Sequence, residues 1–125
     1  MVLRVASQSA RSLDEVTKRR LVLRARAQGD VAEALAHYRE FAGDDAAFRF
    51  GRALERALRH IAEHPFSGST RYGDELDLPG LRSWPIKPYP HLLFYAVGDE
   101  TTHVWRVLHG RRDIPARLRE GFVAD

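Results

Sequence analysis

Cutting RNA without a metal needs a base for the 2′-hydroxyl, an acid for the leaving oxygen and cations beside the scissile phosphate. The residues able to attempt this gather late in the chain: His109, whose imidazole titrates near neutrality, then Arg111 and Arg112, with Lys87 upstream. A His before Gly110 at a strand end serves equally well as a backbone hydrogen-bonding group at the turn into a last helix. His60 and His64 stand four residues apart, a helical spacing that can present two imidazoles to a metal. No third ligand accompanies them, because Glu63 points elsewhere around the helix, and histidines at a helix end suit its C-terminal dipole. No metal and no cofactor are expected. The chain has no cysteine, which excludes thiol nucleophiles, disulfides and thiolate metal sites.

Trp84 and Trp105 lie on strand-like segments beside Arg82 and Arg106, an arrangement that can stack bases or simply pack a core. Simple alternation puts His103, Trp105 and Val107 on one strand face and Val104, Arg106 and Leu108 on the other. One of those faces must cover helices. Arg106 among apolar neighbours then requires a carboxylate, either Asp113 or one from a bound protein.

The elements that position these residues can be read from period and punctuation. With 125 residues, 44% of them hydrophobic, the chain suits one domain with one modest core. Residues 1–17 carry no core pattern and are expected to be an extension, disordered or an arm, with a helical turn near 13–16; residues 18–125 form the domain. Leu21 and Leu23 alternate with Arg20, Val22 and Arg24, which predicts a strand over 19–24. Val31, Ala34, Leu35, Tyr38, Phe41 and Ala42 then follow helical spacing, with Asp30 as the expected N-cap and Gly43 as the stop. A second helix from Asp44 or Asp45 carries Ala47, Phe50, Leu54, Ala57, Leu58 and Ile61 on one face and ends at His64-Pro65, giving an antiparallel hairpin. Residues 65–80 read as an exposed connection. Strands follow at 81–86, 91–97 and 101–108, the first marked by Pro85 as an edge or a broken strand. Asp113 and Pro115 open a short last helix.

Net charge is +3, with 18 Arg against two Lys. Arg suits bidentate contact with phosphate or carboxylate, although 16 Ala beside 18 Arg also fits a GC-rich coding sequence. Charge segregates along the chain: residues 30–77 hold ten acidic and six basic side chains, and residues 81–119 three acidic and seven basic. A basic face therefore belongs to the last third. No apolar run approaches the about 18 residues of a membrane span, and Arg4 and Arg11 interrupt any leader core, so a cytoplasmic protein is expected.

Three segments carry a family pattern. They are Leu78-Pro79-Gly80-Leu81-Arg82-Ser83-Trp84-Pro85-Ile86, His91-Leu92-Leu93-Phe94-Tyr95 and Val104-Trp105-Arg106-Val107-Leu108-His109-Gly110-Arg111-Arg112-Asp113-Ile114. Together, over roughly Lys18 to Leu118, they resemble the ParE branch of the RelE/ParE toxins. The resemblance implies an α+β fold of the RelE/ParE type: an N-terminal strand, an antiparallel helix hairpin, a three-stranded antiparallel meander packed on the helices and a short C-terminal helix. It implies a toxin held in a hetero-oligomer by a ParD-like antitoxin encoded beside it, with DNA gyrase as target. It gives the chain no sequence-specific DNA binding of its own.

RelE-like relatives instead cut mRNA on the ribosome, and that activity is the alternative here. The RelE-like pattern is poorly matched: Ser83, Trp84 and Ile86 stand where sheet lysines would be, with Lys87 just beyond. His91 or Leu92 replaces the sheet arginine, Leu118 the terminal tyrosine, and only Arg111 or Arg112 fills the second arginine's place. The expectation is therefore a protein-binding toxin, not an enzyme; a second alternative is an inactive fold that binds only its antitoxin. An antitoxin tail that is extended and acidic would meet the basic face through Arg82, Trp84, Arg106, His109, Arg111 and Arg112. The helix hairpin would offer Leu35, Tyr38, Phe50, Leu54 and Leu58, each of which reads equally well as core.

Overall fold

A computed structural model describes residues 20–111 and 114–124. The expected N-terminal extension, Arg112 and Asp113 lie outside the described residues. The expected order of elements is the one observed. Strand β1 (Arg20–Leu23) leads into helix α1 (Ala25–Ala42) and helix α2 (Asp44–Glu63). A single 3-10 turn (Pro65–Ser67) and a short helix α3 (Arg71–Leu76) precede strands β2 (Leu81–Pro85), β3 (His91–Val97) and β4 (Thr101–His109), and helix α4 (Ile114–Ala124) follows.

The four strands form one sheet in the order β1-β4-β3-β2. The meander is antiparallel, while β1 pairs parallel to β4 from Arg20 opposite Thr101 to Leu23 opposite Val104. β2 is an edge, as its proline requires.

Helix α1 starts five residues before the expected N-cap. Ala25, Arg26 and Ala27 are good helix formers. The Gln28 side chain donates to the Leu23 carbonyl at 2.9 Å, tying the first turn to the end of β1 without a capping side chain at Arg24. Asp30 therefore sits inside the helix and is free for another task. Gly43 alone joins α1 to α2; its φ of 93° lies in the region that favours glycine, and its N–H closes α1 on the Arg39 carbonyl. From the α1 stripe, Ala27, Val31 and Ala34 are buried, Leu35 and Tyr38 are half-buried, and Phe41 is 71% exposed. Phe41 has the right angular position, but it lies in the last turn, where its ring neighbour is His37 of the same helix.

Two apolar clusters hold the sheet. The larger one packs Phe50, Leu54, Leu58 and Ile61 of α2 against Leu21, Leu23, Leu93, Tyr95, Val104 and Val107. The smaller one joins Leu81, Phe94 and Leu108 to Ile114 and Leu118, flanked by Tyr72, Leu76 and Leu78. The second sheet face is thus covered by α3 and α4. The short helix in the expected loop is carried by Tyr72 and Leu76, four apart on one side, and by Gly73, where an added Cβ would meet the Leu81 carbonyl at 2.7 Å.

Val104 and Val107 face the same cluster although they are three positions apart, which plain alternation forbids. A bulge explains this: Phe94 pairs with Arg106 and Tyr95 with Val104, leaving Trp105 as the extra residue. The grouping of Trp105 with Val107 expected from alternation is corrected accordingly.

Tyr95 is fully buried, and its hydroxyl donates to the Pro65 carbonyl at 2.8 Å while accepting the Gly68 N–H at 3.0 Å. Burial raises its phenol pKa above the ordinary value, keeping the donor in place at neutral pH. Tyr95→Phe leaves both backbone groups without this partner and should lower unfolding free energy by about 1–3 kcal/mol. Urea denaturation with an unchanged slope checks it.

Candidate functional site

Asp30 and Arg106 dominate the interior polar chemistry. Arg106 is 4% exposed, and its Nε and Nη2 donate to the two Asp30 carboxylate oxygens at 2.8 and 2.9 Å. Its Nη1 donates to the Arg117 carbonyl on α4 at 2.6 Å. The Val107 N–H also donates to Asp30, at 2.9 Å. β1 pairs only as far as Val104, so from there β4 would present an open edge; Asp30 supplies the acceptor that a further strand would have supplied. The bulge at Trp105 sets the side from which Arg106 reaches this carboxylate. The partner foreseen for Arg106 was Asp113 or an external acid. Helix α1 provides it instead.

The outer edge of β2 is closed as well. On β2 the Leu81 N–H goes to the Leu78 carbonyl at 3.2 Å, Ser83 exchanges both backbone bonds with Ser69 at 2.9 Å, and Pro85 has no N–H. Strand addition at β2 has no free donors among these positions. A partner at this edge must therefore engage side chains.

The residues expected to bind partners separate into three groups. Phe50, Leu54 and Leu58 are fully buried, so they shape the core and present nothing outward, and Arg106 is enclosed by Asp30 and α4. Leu35 opens onto a groove of about 510 Å³ along the outside of the hairpin with Phe48, which is 65% exposed, and the mixed charges Arg39, Asp44, Arg52 and Glu55. Arg82 and Trp84 lie on β2. Arg82 donates to the carbonyls of Phe66 and Gly68 and sits over the Phe66 ring, while Trp84 stacks on His60 with ring centroids 4.1 Å apart.

Lys87 is not brought to His109 and Arg111. His109 accepts the Arg111 N–H at Nδ1, 3.0 Å, which is the turn-forming role considered for it. It lines a cavity of about 240 Å³ at the end of the sheet that also contains the Asp30–Arg106 pair, with His37, Tyr38, His91, Glu33 and Arg117 around them, several of which the sequence did not single out. Burial, with Tyr89 beside it, raises the Tyr38 phenol pKa there. Lys87 lines a different cleft beside α2. His60 and His64 have ring centroids 5.1 Å apart, and among the described residues no group of three or more His, Cys, Asp or Glu could hold a metal.

With this geometry in view, the comparisons with known proteins are consistent. A family model described as the ParE toxin of the type II toxin-antitoxin system parDE matches residues 21–114. The chain belongs to the ParE toxin family. Among solved structures, a chain from the chromosomal ParDE system of P. aeruginosa superposes with a TM-score of 0.61 at 15% identity, covering 71% of this chain and 92% of that one. A search of curated proteins gives no match.

One titratable group stands apart from the interior pair. His103 is half-buried, with Arg24 3.5 Å from its Nδ1, and burial followed by the Arg24 charge lowers its pKa below 6.5. Below pH about 6.5 the unfolded chain then binds a proton that the folded chain resists, so stability falls as pH decreases from there and levels off below the folded pKa. His103→Gln should flatten that acid-side loss relative to the unaltered chain. Denaturant midpoints from pH 8 to 5 check it, and parallel curves for the two proteins would refute it.

Proposed function

We propose that this chain is a toxin that inhibits DNA gyrase by protein contact, without covalent chemistry, and that a ParD-like antitoxin neutralises it in a hetero-oligomer. The observation that carries the non-enzymatic part is the engagement of Arg106. The Arg106 guanidinium, where it lines the cavity shared with His109, is held by Asp30 and the α4 backbone, so a phosphate there would have to displace the carboxylate. The separation of Lys87 from His109 supports the same reading, since a nuclease needs its cations and its acid-base pair around one phosphate. Family membership and the toxin-type fold support the antitoxin. The surplus of basic residues over 81–119 suits an acidic partner segment, chiefly by speeding and orienting encounter.

Gyrase as target implies a cytoplasmic site of action. No helix among the described residues is long and apolar enough to cross a membrane. Cleavage of mRNA on the ribosome is the reading this account rejects.

Induced expression in a host carrying a supercoiled reporter plasmid separates the two. The expected outcome is growth arrest with relaxed or cleaved plasmid, mRNA intact, and recovery when the neighbouring antitoxin frame is co-expressed. Ribosome-dependent mRNA cuts with intact supercoiling would overturn it.

A further inference from the structure

A second surface stands apart from the buried pair. Between α2 and β2 lies a cleft of about 300 Å³. Ala53 and Ala57 form its floor, because methyl side chains on that stripe of α2 keep the helix surface low. Trp84 and Pro85 form one wall. Arg56 from α2, Lys87 just beyond β2 and the His60 ring supply the polar lining, which contains no acidic side chain. Arg56 and Lys87 are exposed and come from different elements, so an anion in the cleft is approached from both sides. Through the His60 contact with Ser67, at 3.0 Å, the surface continues to Phe66, a 61% exposed ring beneath Arg82. The surface therefore alternates cations with apolar faces.

We propose that this cleft docks an acidic peptide segment of the antitoxin, its carboxylates between Arg56 and Lys87 and an apolar side chain against Phe66 and the edge of Trp84. The assignment rests on the antitoxin-bound toxin reading above and names the surface that reading lacks. A nucleic acid fits less well. One face of the Trp84 ring is stacked on His60, and the ring also packs against the main core, so it is not a free platform for a base. Strand addition is also disfavoured here, because the Ser83 and Leu81 donors are already used. Recognition must run through side chains, and carboxylates complement the ones present.

The test uses the full chain with Arg56→Glu and Lys87→Glu together, and a control of equal charge change, Arg20→Glu with Arg26→Glu, at exposed positions on other elements. Binding is measured to the antitoxin from the neighbouring frame, to a labelled peptide of repeating Glu-Glu-Leu and to oligothymidylate, each at low and at 0.15 M salt. The cleft variant should lose at least about tenfold in antitoxin and peptide affinity with a shallower salt dependence, and the control should lose far less. Equal losses in both variants would reduce the effect to net charge and overturn the proposal, as would unchanged binding in the cleft variant. Loss of oligothymidylate binding alone would reassign the cleft to nucleic acid. If the unaltered chain fails to bind the antitoxin, the toxin-antitoxin reading fails, and the peptide arm still decides whether the cleft takes acidic segments.

Discussion

A guanidinium in the interior of a small domain is costly unless a carboxylate meets it in good geometry and its other donors find acceptors. Here the two-point contact between Arg106 and Asp30, with the Arg117 carbonyl on the third nitrogen, meets both conditions and joins α1, β4 and α4. Several other features depend on it. Asp30 can serve only because α1 begins at Ala25, which places residue 30 in the second turn facing the β4 edge. The Trp105 bulge lets Val104 and Val107 both reach the main core while Arg106 lies between them in sequence and elsewhere in space. The same carboxylate satisfies the Val107 N–H, so the unpaired half of β4 carries no exposed donor there.

This arrangement also bears on chemistry. A cation poised for a scissile phosphate must be partly open to solvent and able to exchange its partner. Arg106 is 4% exposed and already engaged by Asp30 and the Arg117 carbonyl, and although His109 lines the same cavity, Lys87 lies across β2 in a separate cleft. What remains accessible is a set of basic and aromatic surfaces. Those are suited to binding proteins, and they agree with membership of a toxin family matched over residues 21–114.

Much of the fold was legible because the elements obey strong local rules. Leu21 and Leu23 alternate, Gly43 and His64-Pro65 punctuate the hairpin, and Pro85 marks an edge. The errors arose where a residue serves a distant partner. Asp before an apolar stripe is a good N-cap in sequence, and only the tertiary position of β4 shows that its carboxylate has a stronger claimant. A bulge leaves no mark in a hydrophobic pattern, so Trp105 was grouped with the wrong neighbours. Tyr72, Gly73 and Leu76 were hidden by the acidic residues around them. On the proposed docking surface, Arg82 and Trp84 were singled out as candidates from their types. Arg56 and His60 join them because positions four apart on α2 lie along one face, while Lys87 arrives from beyond β2, and sequence distance conceals that meeting. His37 and His91 were missed for a related reason, since only the pairing of β3 with β4 and the packing of α1 bring them beside His109.

The central claim is that Arg106 serves the fold through Asp30 and not a ligand. A double-mutant cycle in urea, with Asp30→Asn, Arg106→Gln and the pair together, tests it most directly. Each single change should cost about 3–5 kcal/mol, because it strands the other buried charge. The double variant should cost much less than the sum, leaving a coupling of about 2 kcal/mol or more. Additive losses within about 0.5 kcal/mol, or an Arg106→Gln protein of unchanged stability that no longer arrests growth, would contradict the account.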